Sequence, residues 1–498
     1  MSYFWYCSAT SFREFQAEQF VASKQYLNFI ANRWVEPVAR AYLETYDPAT
    51  EELIATFARS GAADVDVAVR SAHAAMSGEW ARISPADRGR LLFRLADLIA
   101  ADRDRLARLE TLDVGKPLKD SLGDMDGVCA TLRYNAGAAD KMEGSTIPLA
   151  RAFIDFTILE PLGVTAHIVP WNFPLGMAMR SMAPALAAGC TCVLKPAEQS
   201  PLSALGMADM VEKAGFPPGV INIVTGLGEE AGEALAKHPL VRGITFTGSV
   251  ETGRRIMSSA AQGIKPVVLE LGGKNPMIVF ADADLDRAVD DAAMASFENC
   301  GQVCSSSSRY LLAPQIRDEF IDRLMAKASA LSVGPGIDDN DIGPLVSSEQ
   351  YDRVQQYIGS GTAENARLRL GGGRPSHLHR GYFVEPPIFD RVTPAVKIAR
   401  EEIFGPVGVA IDVKSEDEAV EISNGLGYGL AAGVYTQDIG RAMSLARRLE
   451  HGSVWINGWW MGGVQAPTGG MKESGIGRER GLAGVRNYLQ IKNVAIRT

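Results

Sequence analysis

Apolar and polar positions divide the chain into helix-like and strand-like stretches. In SPADRGRLLFRLADLIA, Leu91, Leu95, Leu98 and Ile99 recur at helical spacing, Ser84 is placed to cap, and Pro85 suits a first turn. The same periodicity makes residues 62–142 mostly helical, and its apolar stripe reads as core rather than site. From residue 163 the pattern changes. Short apolar runs (GVTAHIVP, TCVLKP, INIV, GITFTG, PVVLEL) alternate with helical segments (MAMRSMAPALAAG, SALGMADMVEKAG, EEAGEALAKH, TGRRIMSSAAQ). This βαβ rhythm predicts a parallel sheet with ligands at its carboxyl-end loops. A second alternation runs from PMIVF at 276 through DLDRAVDDAAMASF, YLLA and IRDEFIDRLMAKASAL to GVAIDV, so two α/β domains are expected to meet near residue 272. Neither internal repeats nor low-complexity tracts are visible, which excludes solenoids and linker-rich architectures.

Length and composition fit this picture. With 498 residues, 46% of them hydrophobic, the chain can bury a large core spread over several domains. A formal charge of -9 without a basic tract argues against nucleic acid as a partner. The start, MSYFWYCSATSFREFQAEQF, is aromatic but has no basic n-region or apolar run of signal length, and nothing later approaches a membrane span. A cytoplasmic protein with no membrane partner is the expectation. Six scattered cysteines do not form a disulfide framework. Cys190/Cys192 and Cys300/Cys304 lack zinc spacing and have no histidine close by, so no metal is expected.

Four segments carry candidate chemistry. TGLGEEAG (Gly226, Gly228, Gly232) and FTGSVETG (Gly248, Gly253) each open into a helix, where backbone amides can hold a pyrophosphate; neither is a full G-x-G-x-x-G, and ordinary tight turns remain the alternative. In LELGGKNP, Glu270 stands alone among apolar strand residues, where burial would raise its pKa toward that of a general base, unless it is simply half of a buried ion pair. In ENCGQVCSSSSR, Cys304 lies in a small, polar stretch after a helical pattern, a setting open to either a reactive or a packed thiol.

HIVPWNFP, ALAAGCTCVLKPAEQSP, GITFTGS, LELGGKNP, GQVCSSSSR, EEIFGPV and PTGGMKESGIGRE resemble in sequence and in order the signatures of the aldehyde dehydrogenase superfamily. The likeness runs from about residue 29 to NYLQIKNV at the carboxyl terminus. It implies an α/β fold in which a Rossmann-type cofactor domain (29–142 and 162–271) joins a catalytic α/β domain (272–468). A small β oligomerisation arm (143–161 and 482–498) and an amino-terminal extension (1–28) complete the expected organisation. The arm implies a homodimer or homotetramer, because such a strand pair cannot bury its apolar face alone.

Residue by residue, the resemblance makes Cys304 the nucleophile, Glu270 the general base and Asn172 the oxyanion amide. It places Lys195 and Glu198 at the adenosine ribose, Ser249 at the pyrophosphate, and Glu402 with Phe404 at the nicotinamide ribose. Ile168, Trp171, Gly228 and Leu271 are further expected cofactor contacts, Trp171 chiefly shaping its turn. Glu198 favours NAD by repelling a 2′-phosphate, with NADP as the alternative. Arg309 and Lys472 read as structural ion pairs, Cys300 as packing, and Cys190 and Cys192 as apolar strand residues.

The implied reaction is oxidation of a small-molecule aldehyde to an acid through a thioester on Cys304. Substrate choice points two ways. Arg180, eight residues after Asn172, resembles the arginine with which succinate-semialdehyde enzymes hold a carboxylate; Glu298 would repel such a substrate or pair with Arg180. Trp459 and Trp460 suggest an aromatic lining for a benzaldehyde-like or fatty aldehyde, and Thr468 stands where an aromatic is usual. Transfer of the acyl group to CoA and a non-catalytic, crystallin-like role are the rival readings; Glu270 argues against the first, and Cys304, Glu270 and Asn172 together against the second.

Overall fold

The computed structural model describes residues 24–498, so most of the expected amino-terminal extension, with Cys7, lies outside the described residues. Lys24–Tyr26 is already a strand, paired in parallel with Leu53–Ala58, and Asn28–Ile30 belongs to the main sheet, so ordered structure begins before residue 29.

The helical periodicity produces the helices it predicts. Ser84 Oγ accepts the Asp87 N–H at 3.2 Å, Pro85 opens the helix Pro85–Ala101, and Leu91, Leu95 and Ile99 are buried in a core shared with the helix Leu118–Ala138. That core also takes in the helix Pro174–Ala188, whose first turn follows the PWNFP segment.

The first large sheet has eight strands. Val164–Ile168 lies inside it; Thr191–Lys195 and Ile221–Ile223 follow in parallel on one side, and Val241–Gly248 and Val267–Leu271 on the other. The chain therefore reverses its direction of travel across the sheet between Val164–Ile168 and Val241–Gly248, and the crevice beyond their carboxyl ends is the place such sheets bind ligands. One edge is completed in antiparallel fashion by Gly475–Ile476, which pairs Gly475 with Glu270 and Ile476 with Leu269. Only glycine fits at 475: its φ is +151°, and a Cβ would lie 2.1 Å from the Leu269 carbonyl oxygen.

Three residues, Gly272 to Lys274, separate Leu271 from Asn275, the first residue of the second sheet. In that seven-stranded sheet, Asn275–Val279 lies between Ser307–Leu312 and Ala431–Tyr435, all parallel, and only the edge strand Arg367–Leu370 runs antiparallel. A separate small sheet pairs Phe153–Pro161 with Leu489–Arg497 along their whole length, with Thr146–Ile147 outside. Its apolar residues Phe153, Ile154, Ile491 and Ile496 are exposed in the single chain. No helix among the described residues is long and apolar enough to cross a membrane.

Candidate active site

Cys304 is positioned by an unusual bend. After the helix Leu285–Phe297, Asn299, Cys300 and Gly301 have φ of +48°, +55° and +68°, three successive left-handed residues that turn the chain back on itself. For Asn299 and Cys300 this conformation costs roughly 1–2 kcal/mol each, which the surrounding hydrogen bonds must offset. At Gly301 it is obligatory, because a Cβ would sit 2.3 Å from the Gly405 carbonyl oxygen. The supporting bonds are in place. Asn172 Nδ2 donates to the Gln302 carbonyl at 2.8 Å, Asn299 Nδ2 to the Asn172 carbonyl at 3.1 Å, and Gln302 Oε1 accepts the Val346 N–H at 2.9 Å. Asn275 Nδ2 donates to the Cys304 carbonyl at 2.9 Å. Asn172 is thereby locked two residues from the sulfur, with one N–H of its amide committed to Gln302 and the second uncommitted.

Cys304 lines a cavity of about 640 Å³ that is also lined by Glu270, Arg180 and Glu298. Burial raises its thiol to a pKa of about 11, against the opposing influence of the Arg180 guanidinium. Cys300, by contrast, is fully buried in the second core, where burial drives its pKa up still further.

Glu270 is the penultimate residue of the strand Val267–Leu271 and is buried. Its Oε2 accepts Arg180 Nη2 at 3.2 Å, while Oε1 has no hydrogen-bond partner among the described residues. Burial pushes its pKa up to about 7, with Arg180 pulling the other way and Glu479 adding to the rise. Arg180 also pairs through Nε with the buried Glu479, so one guanidinium is shared by two carboxylates. Glu270 is thus both alternatives at once: an ion-paired carboxylate and one with the pKa of a base. Of the two alternatives for Glu298, pairing with Arg180 does not occur, and Arg180 is instead shared by Glu270 and Glu479. Glu479 escaped the sequence reading; the only signal was three charges, Arg478, Glu479 and Arg480, inside the glycine-rich GIGRERG.

None of the expected cofactor residues is among those lining this cavity, although the Glu402 charge acts on Cys304; several stand at strand carboxyl ends. Ile168, Lys195 and Leu271 each end a parallel strand, and Ser249 follows Gly248 and caps the helix Val250–Gln262 by accepting the Thr252 N–H at 3.1 Å. Gly228 opens a short turn before the helix Glu233–Lys237. Lys195 is buried and its Nζ donates to Glu198 Oε2 at 2.6 Å. Glu402 accepts the Gly273 N–H at 3.1 Å, and burial raises its pKa to about 7. A Cβ at Gly272 would collide with the Glu402 carboxylate. Trp171 meets the ring of Phe404 edge-on at 5.2 Å, consistent with a turn-shaping role. These features fit a dinucleotide: an ion-paired carboxylate for a ribose, a capped helix start for phosphate, and a second carboxylate beside the loop that joins the two sheets.

Two further expectations change. Trp459 is buried in the second core, donates its indole N–H to the Ser305 carbonyl at 3.1 Å, and does not line the cavity; Trp455 and Trp460 do. Arg309 forms no ion pair among the described residues but donates to the carbonyls of Lys274 and Ile422 at 2.9 and 3.2 Å. Lys472 does pair with Glu450, at 3.4 Å, while also donating to two carbonyls. Cys190 and Cys192 are buried in or beside the strand Thr191–Lys195, as apolar strand residues should be.

Comparison with known proteins agrees with this geometry. The model of the aldehyde dehydrogenase family matches residues 34–494, and the chain belongs to that family. It is 46% identical to the mitochondrial aldehyde dehydrogenase of Rattus norvegicus over 94% of this chain and 91% of that one. It is 44% identical to betaine aldehyde dehydrogenase 1 of Oryza sativa subsp. japonica over 94% of each. Among solved structures, the NAD+ complex of an aldehyde dehydrogenase from Bacillus cereus superimposes with a TM-score of 0.95 at 43% identity, covering 97% of this chain and 98% of that one.

Proposed function

We propose that the protein oxidises an aldehyde to the carboxylic acid with NAD, through a thiohemiacetal and then a thioester on Cys304, which water activated by Glu270 hydrolyses. The observation that carries this reading is the convergence of Cys304 and the half-bonded Glu270 on one cavity. The thiol gives up its proton as the sulfur adds to the aldehyde carbon, and the negative charge that develops on oxygen meets the uncommitted amide N–H of Asn172 and the Cys304 backbone N–H. NAD, when bound, supplies the oxidant that takes two electrons from this adduct. Lys195 and Glu198 would hold its adenosine ribose, Ser249 and Gly228 its pyrophosphate, and Glu402 with Phe404 its nicotinamide ribose, beside Ile168, Trp171 and Leu271. Glu198 supports NAD over NADP by charge.

Glu270 then removes a proton from water through Oε1, the oxygen that Arg180 leaves free. Near pH 7 a base of this pKa is about half ionised and still strong enough to be effective. Water rather than CoA is the favoured acceptor because this base is present.

The same reading assigns residues 29–142 and 162–271 to the cofactor domain, 272–468 to the catalytic domain, and 143–161 with 482–498 to an arm that joins subunits into a homodimer or homotetramer. Support for the arm comes from its exposed isoleucines and phenylalanine.

The test is a trapped intermediate. In Glu270→Gln, mass spectrometry after mixing with NAD and aldehyde is expected to find an acyl adduct on the peptide containing Cys304, released by neither water nor CoA at a useful rate. An adduct that never forms, or one that CoA discharges rapidly in the wild type with acyl-CoA as product, overturns the hydrolytic reading.

A further inference from the structure

Glu298, which follows the helix before the Cys304 bend, has no role in the chemistry above. Its carboxylate lines the cavity, yet among the described residues it makes no hydrogen bond and no ion pair. Its neighbours are mainly acidic: burial raises its pKa to about 7, with Asp120 and Asp124 adding to the rise and Lys116 opposing it. The one cation nearby, Lys116, is fully buried and already divided between Glu110 at 3.2 Å and Asp124 at 2.7 Å. This part of the cavity wall has more carboxylates than cations to balance them.

Aromatic rings face the same space. Phe173, Trp455 and Trp460 line the cavity, and Lys116 Nζ lies 4.0 Å from the Phe173 ring centroid, so that ring already serves a cation. Neither arginine of the cavity, Arg180 or Arg480, pairs with Glu298 or is among the charges that act on it. Arg180 is consumed by Glu270 and Glu479, and the charges that act on Arg480 are Arg180, Glu479, Glu270 and Cys304.

We propose that the cavity selects aldehydes whose far end carries a positive charge, an ammonium or quaternary ammonium group, and that Glu298, seconded by Asp124, recognises that charge against the rings of Trp455 and Trp460. The proposal rests on the reading that Cys304 and Glu270 carry out the oxidation. It replaces the anionic aldehyde suggested by Arg180 in the sequence. A cationic tail would restore charge balance beside Glu298, whereas a carboxylate tail would have to approach an unpaired acid.

The experiment compares three aldehydes of equal chain length with the full-length enzyme and NAD: 4-(trimethylammonio)butanal, butanal and succinate semialdehyde. The expected wild-type order in kcat/KM is cationic, then neutral, then anionic, with the first exceeding the second at least about 10-fold. Glu298→Gln is expected to cut the cationic-to-neutral ratio about 10-fold, mainly through KM, and Glu298→Lys to reverse the order of the two charged aldehydes. Competition gives a readout that needs no variant: butyltrimethylammonium should inhibit the wild type at lower concentration than butyrate. Preference for succinate semialdehyde, or a ratio unchanged in Glu298→Gln, overturns the proposal. A wild type that oxidises none of the three overturns the reading of the reaction itself, whereas one that oxidises neutral and cationic aldehydes equally overturns the cationic selectivity and leaves that reading standing.

Discussion

Arg180→Met isolates what the buried guanidinium does for the base. In the native site it lies 3.2 Å from Glu270 Oε2 and also pairs with Glu479. At an effective dielectric constant of about 20, an attraction over that distance is worth about 5 kcal/mol, which sets a ceiling of nearly 4 pKa units on the change at Glu270. Water entering the vacated space and the remaining charges of Arg478 and Arg480 reduce this, and about one unit is the conservative expectation. The sign is upward. Loss of the cation and exposure of Glu270 to the Glu479 charge both disfavour its ionised form. From a starting pKa of about 7, a rise of one unit lowers the ionised fraction at pH 7 from about one half to about one tenth, so thioester hydrolysis slows roughly 5-fold. Stopped-flow NADH formation should show a burst approaching one equivalent per active site at pH 7, and the limb of the kcat–pH profile should move to higher pH, with the rate recovering near pH 9. Adding Glu479→Gln to the same chain removes the unmasked charge and should return the midpoint part of the way. It should also relieve the instability of a buried unpaired carboxylate, on the order of 3–5 kcal/mol. A profile that stays in place, or moves to lower pH, refutes the idea that Arg180 governs the base.

Three other substitutions report on separate parts of the site. Asn172→Ala removes the amide proposed to meet the developing oxyanion and is expected to lower kcat about 100- to 1000-fold with little change in KM, measured by steady-state NADH production. Glu198→Gln removes the acid that pairs with Lys195 at 2.6 Å, and the NADP-to-NAD ratio of kcat/KM should rise about 10-fold or more. Ile491→Asp puts a charge on an exposed apolar strand of the small sheet, and sedimentation velocity at micromolar concentration should show a shift toward smaller species.

The readable parts of the sequence were those whose function rests on the main chain. Strands ending in Ile168, Lys195, Gly248 and Leu271 announce themselves by short apolar runs, and the loops after them by glycine and caps, because a tight turn into a helix needs particular backbone conformations and so particular residues. The Cys304 bend was partly readable for the same reason. Gly301 is required by its φ, but the left-handed Asn299 and Cys300 have no such signature.

The cavity wall was less readable because its chemistry depends on which charges meet across hundreds of residues. Arg180 lies eight residues after Asn172, and from that spacing alone it is a free cation two helical turns along. What disarms it is Glu479, brought close when Gly475–Ile476 adds itself to the strand that carries Glu270. The two adjacent tryptophans make the same point on a shorter scale. Alternation along a strand would have decided which one faces the cavity, but Asn457 and Trp460 adopt φ of +52° and +49°, the alternation breaks, and Trp460 rather than Trp459 comes to the surface of the pocket. Since Arg180 is spent on the base, its charge now bears on the rate and pH dependence of hydrolysis, while the choice of aldehyde passes to the unpaired acid at Glu298.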